Sequence, residues 1–129
     1  MDKKRILIID DEVDYLSLMQ ERLESWGYAV ELAQGGKEGL VAVKEKLPDI
    51  VILDYFMPGM DGVEVLKHIR KFDKSLIVIM LTAHADTNNI KGAQELGVSA
   101  FIPKLSAYSD VQASLKSTLD MVGKKVKDN

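Results

Sequence analysis

Three unbroken apolar runs, rich in β-branched side chains, most narrow what this chain can fold into: residues 6–9 (ILII), 50–53 (IVIL) and 76–81 (LIVIML). A strand with one wet face alternates apolar and polar residues, whereas a strand covered on both faces has no polar positions. These runs therefore predict central strands of a parallel sheet sandwiched between helices. Weaker strands are expected at 29–33, where Val30 and Leu32 alternate with Glu31, and at 100–102. Successive starts are 21 to 26 residues apart, room for the crossover helix that joins parallel neighbours.

Between the runs the apolar period becomes helical. Leu16, Met19, Leu23 and Trp26 form one stripe ended by Gly27; Leu40, Val43 and Leu47 form a second, closed by Pro48; Val63, Leu66 and Ile69 form a third. Ile90, Ala93 and Leu96 precede Gly97, and Val111, Leu115, Leu119 and Val122 complete the set. Glycine just past the last periodic residue and proline beyond it are ordinary helix stops. The fourth stripe is the weakest, interrupted by Asn88, Asn89, Lys91, Gly92 and Gln94, so that helix is expected to be the most loosely held. Five βα units in strict alternation predict one doubly wound α/β domain. With 129 residues, 47% of them hydrophobic, there is material for a single core. That core is expected over about 4–122, with 123–129 a polar, frayed tail.

Seventeen Lys and Arg against 20 Asp and Glu leave a formal charge of −3, which argues against a surface built for nucleic-acid phosphates. The absence of cysteine excludes disulfides, thiolate metal sites and cysteine nucleophiles. The run at 6–9 is too short for a signal-peptide core, and 76–81 falls far below the ~20 residues of a membrane span. A cytoplasmic protein without membrane insertion is expected.

In an open α/β sheet of this kind, ligands bind beyond the C-terminal ends of the strands. There the first strand delivers Asp10 and Asp11, with Glu12 next, the third delivers Asp54, and the fourth delivers Thr82. Crowded carboxylates repel one another and raise each other's pKa, so a fold that gathers them calls for a cation. An all-oxygen ligand set with open positions suits Mg²⁺. The fifth strand adds Lys104, whose ammonium can neutralise a phosphoryl oxygen, while Thr82 can donate a hydroxyl hydrogen bond to the same group. Carboxylate, hard cation, lysine and hydroxyl are the parts of a phosphoryl-transfer site, with Asp54 as the nucleophile.

Four motifs now carry a resemblance: Ile9-Asp10-Asp11-Glu12, Leu53-Asp54-Tyr55-Phe56-Met57-Pro58-Gly59-Met60-Asp61-Gly62, Leu81-Thr82-Ala83, and Gly97-Val98-Ser99-Ala100-Phe101-Ile102-Pro103-Lys104. The chain resembles the response regulator receiver domain of two-component signalling, of the single-domain chemotaxis or sporulation-relay type, over roughly residues 4–122. The resemblance implies a flavodoxin-like five-stranded parallel sheet in the order 2-1-3-4-5 with five helices. It implies that Asp54 accepts a phosphoryl group from a histidine kinase or histidine phosphotransfer protein. Asp11 and Asp54 would be direct Mg²⁺ ligands with the backbone carbonyl of Phe56, and Asp10 would act through a metal-bound water. Thr82 and Phe101 would form a switch pair that remodels the face made by the fourth helix, fifth strand and fifth helix for an output partner. Such a protein is a signalling module that catalyses its own phosphorylation and dephosphorylation, a monomer or a phosphorylation-dependent dimer.

The family usually places proline after the lysine, with a cis bond between them; here the order is Pro103-Lys104-Leu105. A cis bond before leucine costs about 2.5–4 kcal/mol, so a trans bond is expected. Phe56 and His84, two residues beyond Asp54 and Thr82, occupy positions that in the family flank the path of hydrolytic water, and both are bulky, which is expected to lengthen the life of the phosphoryl group. Taken singly, these residues have plainer explanations. Paired aspartates after a strand cap helices, Thr82 can do the same, Phe101 can be core, a lone lysine is usually solvated, and His68 and His84 do not make a zinc site. An aspartyl-phosphate hydrolase would share the nucleophile and metal, but such enzymes generally carry an acid two residues on, where Phe56 cannot protonate a leaving group. A flavin-binding domain of the same fold is disfavoured by acidic strand ends.

Overall fold

The computed structural model describes residues 3–83, 86–104 and 107–127, with side chains through Gly123. The elements run β1 (Arg5–Ile9), α1 (Val13–Ser25), β2 (Ala29–Ala33), α2 (Gly36–Lys46), β3 (Ile50–Asp54), α3 (Gly62–Phe72), β4 (Ile77–Thr82), α4 (Thr87–Glu95), β5 (Ala100–Pro103) and α5 (Tyr108–Lys127). All strand pairs are parallel, in the order β2-β1-β3-β4-β5. This is the doubly wound flavodoxin-like sheet expected above.

The uninterrupted apolar runs follow from burial on both faces. Ile6 and Ile8, Ile50 and Ile52, and Ile79 and Leu81 pack toward α1 and α5, against Leu16, Met19, Leu23, Leu115 and Leu119. Their alternating neighbours, Leu7 and Ile9, Val51 and Leu53, and Val78 and Met80, pack toward α2, α3 and α4, against Val43, Leu66, Ile69 and Ala93. β2 is an edge strand and is covered less than the central ones: Val30 is half-buried, Ala29, Glu31 and Leu32 are exposed, and its buried residue is Ala33. Fully burying a Leu, Ile or Val side chain contributes about 1.5–3 kcal/mol, so these two layers hold the strand ends in register.

Four details differ from the sequence reading. β3 and β4 run one residue further than the apolar runs, so Asp54 and Thr82 are themselves the last strand residues, and Leu76 precedes β4. Leu47 does not extend the second apolar stripe into the core. It caps α2 with a left-handed φ of 49° and is 71% exposed, because a residue before proline is disfavoured in the helical region. Trp26 caps α1 rather than completing its last turn. Finally, α5 continues through Lys127, with Gly123 buried, where a frayed tail was expected from 123 onward. The weak fourth stripe has a clear counterpart: α4 has nine residues, and its buried residues are Asn89 and Ala93.

Candidate functional site

Parallel pairing brings the C-terminal ends of β1, β3, β4 and β5 to one edge, and order reverses between β1 and β3, which flank each other while their sequence neighbours diverge. Asp10 follows β1, its backbone N–H donating to the Ala33 carbonyl (3.1 Å), and its Oδ1 accepts from the Glu12 N–H (2.9 Å). Glu12 is the N-cap of α1 without a side-chain cap bond of its own. Asp54 ends β3, and the chain leaves it by two backbone bonds: Tyr55 N–H to the Leu81 carbonyl (2.9 Å) and Gly62 N–H to the Tyr55 carbonyl (2.8 Å). A Cβ on Gly62 would lie 2.7 Å from the Asp54 carbonyl oxygen and 2.8 Å from Tyr55 Cα. Only glycine lets the start of α3 approach this closely.

Carboxylate oxygens of Asp10, Glu12 and Asp54 lie within 4.8 Å of one another. Lys104, delivered by β5 and anchored by its backbone N–H on the Thr82 carbonyl, reaches all three: Nζ is 2.9 Å from Asp10 Oδ2, 3.2 Å from Glu12 Oε1 and 3.3 Å from Asp54 Oδ1. Asp10 and Asp54 are 1% and 4% exposed, and Thr82 is fully buried. Three carboxylates against one ammonium leave two uncompensated negative charges if all are ionised. Burial and the neighbouring Asp10 charge push the Asp54 carboxyl up to about 7, overriding Lys104. Burial also raises Asp10 despite its bond to Lys104. Burial would lower the Lys104 ammonium, but the Asp10 hydrogen bond and the Asp54 and Asp10 charges leave it raised and firmly protonated. An all-oxygen group with surplus negative charge and a carboxylate that resists ionisation suits a hard divalent cation.

Of the residues singled out from the sequence, Asp10, Asp54, Thr82 and Lys104 meet at this edge. Asp11 is half-buried and its charge reaches Asp54, but Glu12, not Asp11, completes the tight carboxylate group. The signal for Glu12 was present as a third acid in the same motif. Phe101 is half-buried against the α2–α4 side of the core and pairs with Met80 on β4. Phe56 is 46% exposed, edge-on to the Tyr55 ring at 4.7 Å. His84 and the Lys104–Leu105 bond lie outside the described residues. His68 is exposed on α3.

Two aromatic residues escaped the sequence reading. Lys104 Nζ sits 4.2 Å from the centroid of the Tyr15 ring on α1. That ring meets Tyr108, the first residue of α5, edge to face, with centroids 5.9 Å apart and planes at 79°. Burial pushes the Tyr15 hydroxyl up to about 12.

A doubly wound parallel sheet with buried aspartates and a lysine at its strand ends defines a class, and similarity to known proteins supplies the family. The response regulator receiver domain model matches residues 6–116, and the chain belongs to that family. It is 32% identical over 121 residues to sporulation initiation phosphotransferase F of Bacillus subtilis, covering 94% of this chain and 98% of that one. The CheY-like receiver domain protein of Methanospirillum hungatei superposes with a TM-score of 0.85 at 31% identity, over 96% of this chain and 99% of the other. A chain of the Borrelia burgdorferi CheX–CheY–BeF3–Mg²⁺ complex superposes with a TM-score of 0.81 at 31% identity, over 90% and 89%. Other curated relatives are transcriptional regulators of which this chain spans 26% to 56% of the length. No helix among the described residues is long and apolar enough to cross a membrane.

Proposed function

We propose that the chain is a cytoplasmic phospho-accepting receiver in which Asp54 takes a phosphoryl group from a phosphohistidine on a sensor kinase or phosphotransfer protein. The observation that carries this reading is the buried Asp54 carboxylate at a strand end, 3.3 Å from the Lys104 ammonium and crowded by Asp10 and Glu12. In the transfer the P–N bond of a phosphohistidine protonated on its other ring nitrogen breaks with the bonding pair staying on nitrogen, and an oxygen of the ionised Asp54 carboxylate bonds to phosphorus, leaving neutral imidazole on the donor. Negative charge on the equatorial oxygens is met by Lys104 and by the Thr82 hydroxyl.

Asp10, Asp11, Asp54 and the Phe56 backbone carbonyl are the groups proposed to hold Mg²⁺, with Glu12 at the margin. Bound there, the ion would supply positive charge for phosphoryl oxygens and offset the surplus of carboxylates. Thr82 and Phe101 are the proposed switch pair. A shift of the Thr82 hydroxyl toward the new phosphoryl group would let the half-buried Phe101 ring turn inward and change the α4, β5 and α5 face read by an output partner. The short apolar contact of α4 supports its role as the yielding element.

The deciding experiment incubates the protein with Mg²⁺ and a small acyl phosphate and weighs the intact chain. One added phosphoryl group is expected on the wild type and none on Asp54→Asn; no wild-type adduct, or an undiminished one in the variant, refutes the reading. Phe56 and His84 are proposed to shield the adduct from water. Replacing both with alanine is expected to speed phosphate loss, and an unchanged decay rate would remove them from that role.

A further inference from the structure

The geometry points to Tyr15 as a positioning residue for Lys104: its ring face seats the ammonium, and its edge-to-face contact with Tyr108 braces that ring against the start of α5. The inference rests on the reading of Lys104 as the phosphoryl-binding cation.

Lys104 approaches the site from β5, and its backbone is fixed by the bond to Thr82. The flexible four-carbon stem still leaves the ammonium many positions. The carboxylates of Asp10, Glu12 and Asp54 attract it from the front, and the Tyr15 ring lies within the ~6 Å at which a ring face attracts a cation. The lysine side chain is only 10% exposed, so water competes little and the attraction lies toward the stronger end of its range.

The tyrosine hydroxyls indicate what the pair is used for. Among the described residues Tyr15 Oη and Tyr108 Oη are both buried without a hydrogen-bond partner, a cost with no return if their role were to donate bonds. The ring surfaces carry the contacts: face to Lys104 from Tyr15, edge to face between Tyr15 and Tyr108. Lys104 follows β5 and Tyr108 opens α5, so the two ring contacts fasten both residues to α1.

The test varies the ring's electrostatics at constant shape. Phenylalanine, 3,5-difluorophenylalanine and pentafluorophenylalanine are placed at position 15 of the full chain, in wild-type and Lys104→Ala backgrounds. The rate of phosphorylation by a small acyl phosphate with Mg²⁺ is then followed by intact mass. Tyr15→Phe is expected within twofold of wild type, with a graded fall to roughly tenfold at the pentafluoro ring and no dependence on fluorination once Lys104 is alanine. If Lys104→Ala slows phosphorylation but the series is flat, the positioning role is overturned and the role of the lysine survives. If Lys104→Ala has no effect on phosphorylation, the underlying reading of the lysine fails instead. A metal-free readout separates the two. The Lys104 ε-methylene protons are expected upfield by ring current in wild type and Tyr15→Phe and near their ordinary position in Tyr15→Leu; ordinary shifts in all three overturn the seating itself.

Discussion

Asp54 is a liability to the folded chain wherever it is ionised. Its carboxyl is pushed from an ordinary 3.8 up to about 7 by burial and by Asp10, so between those values the native state keeps a proton that the unfolded chain has released. Stability then falls as pH rises through that window, because the native state binds more protons than the unfolded one. Above pH 7 the charged form must be kept buried beside Asp10. Without divalent cations, Asp54→Asn is therefore expected to raise the thermal midpoint by several degrees at pH 8 and to leave it nearly unchanged at pH 4. Equal shifts at the two pH values would contradict this account. The place of Asp54 at a strand end was legible because a strand-final aspartate stands out from an apolar run. Its altered acidity was not, since that depends on its burial in the folded chain and on Asp10, 44 residues away in sequence.

At the scale of elements, α4 is fastened at its C-terminal end by Arg70 and capped at its N-terminal end by Asp86. Arg70 on α3 donates from Nε to the Leu96 carbonyl (2.7 Å), from Nη1 to those of Leu76 (2.8 Å) and Asp73 (3.1 Å), and from Nη2 to that of Gly97 (3.1 Å). One guanidinium thus satisfies carbonyls at the end of α4, after α3 and before β4. At the other end the Asp86 side chain accepts from the Asn89 N–H (2.8 Å), as an N-cap should. Arg70→Ala is expected to cost about 1–3 kcal/mol and to speed amide exchange around 93–98. Lysine should not restore protection, since a point ammonium cannot reproduce the fork; unchanged exchange in the alanine variant would sink the fastening role. The sparse apolar face of α4 was readable from its polar interruptions. Arg70 was invisible, because an arginine in a helix's last turn is common and its four partners lie in two connections, 73–76 and 96–97.

For the molecule as a whole, the surplus of carboxylates would couple the binding of a divalent cation to folding. A ligand that binds only the native state stabilises it by about 2.7 kcal/mol at 100 times its dissociation constant. Millimolar Mg²⁺ is expected to raise the thermal midpoint of the wild type and to do so less in Asp54→Asn. An identical midpoint with and without Mg²⁺ in the wild type would count against the acidic site.

Periodicity and strand-end chemistry already specified five βα units, the two-sided burial of β1, β3 and β4, and the meeting of Asp10, Asp54, Thr82 and Lys104. The reason is topological: in a parallel sheet with right-handed crossovers every strand delivers its next residue to the same edge. Where the reading went astray, as at Leu47, a local rule about proline outweighed the apolar period. Folding alone brought Lys104 to 2.9 Å from Asp10 across 94 residues of chain, chose Glu12 over Asp11 for the tight carboxylate group, and set the lysine on the Tyr15 ring. Those choices turn on ångström distances between side chains from different elements, and periodicity fixes which residues reach an edge but not how their side chains pack once there.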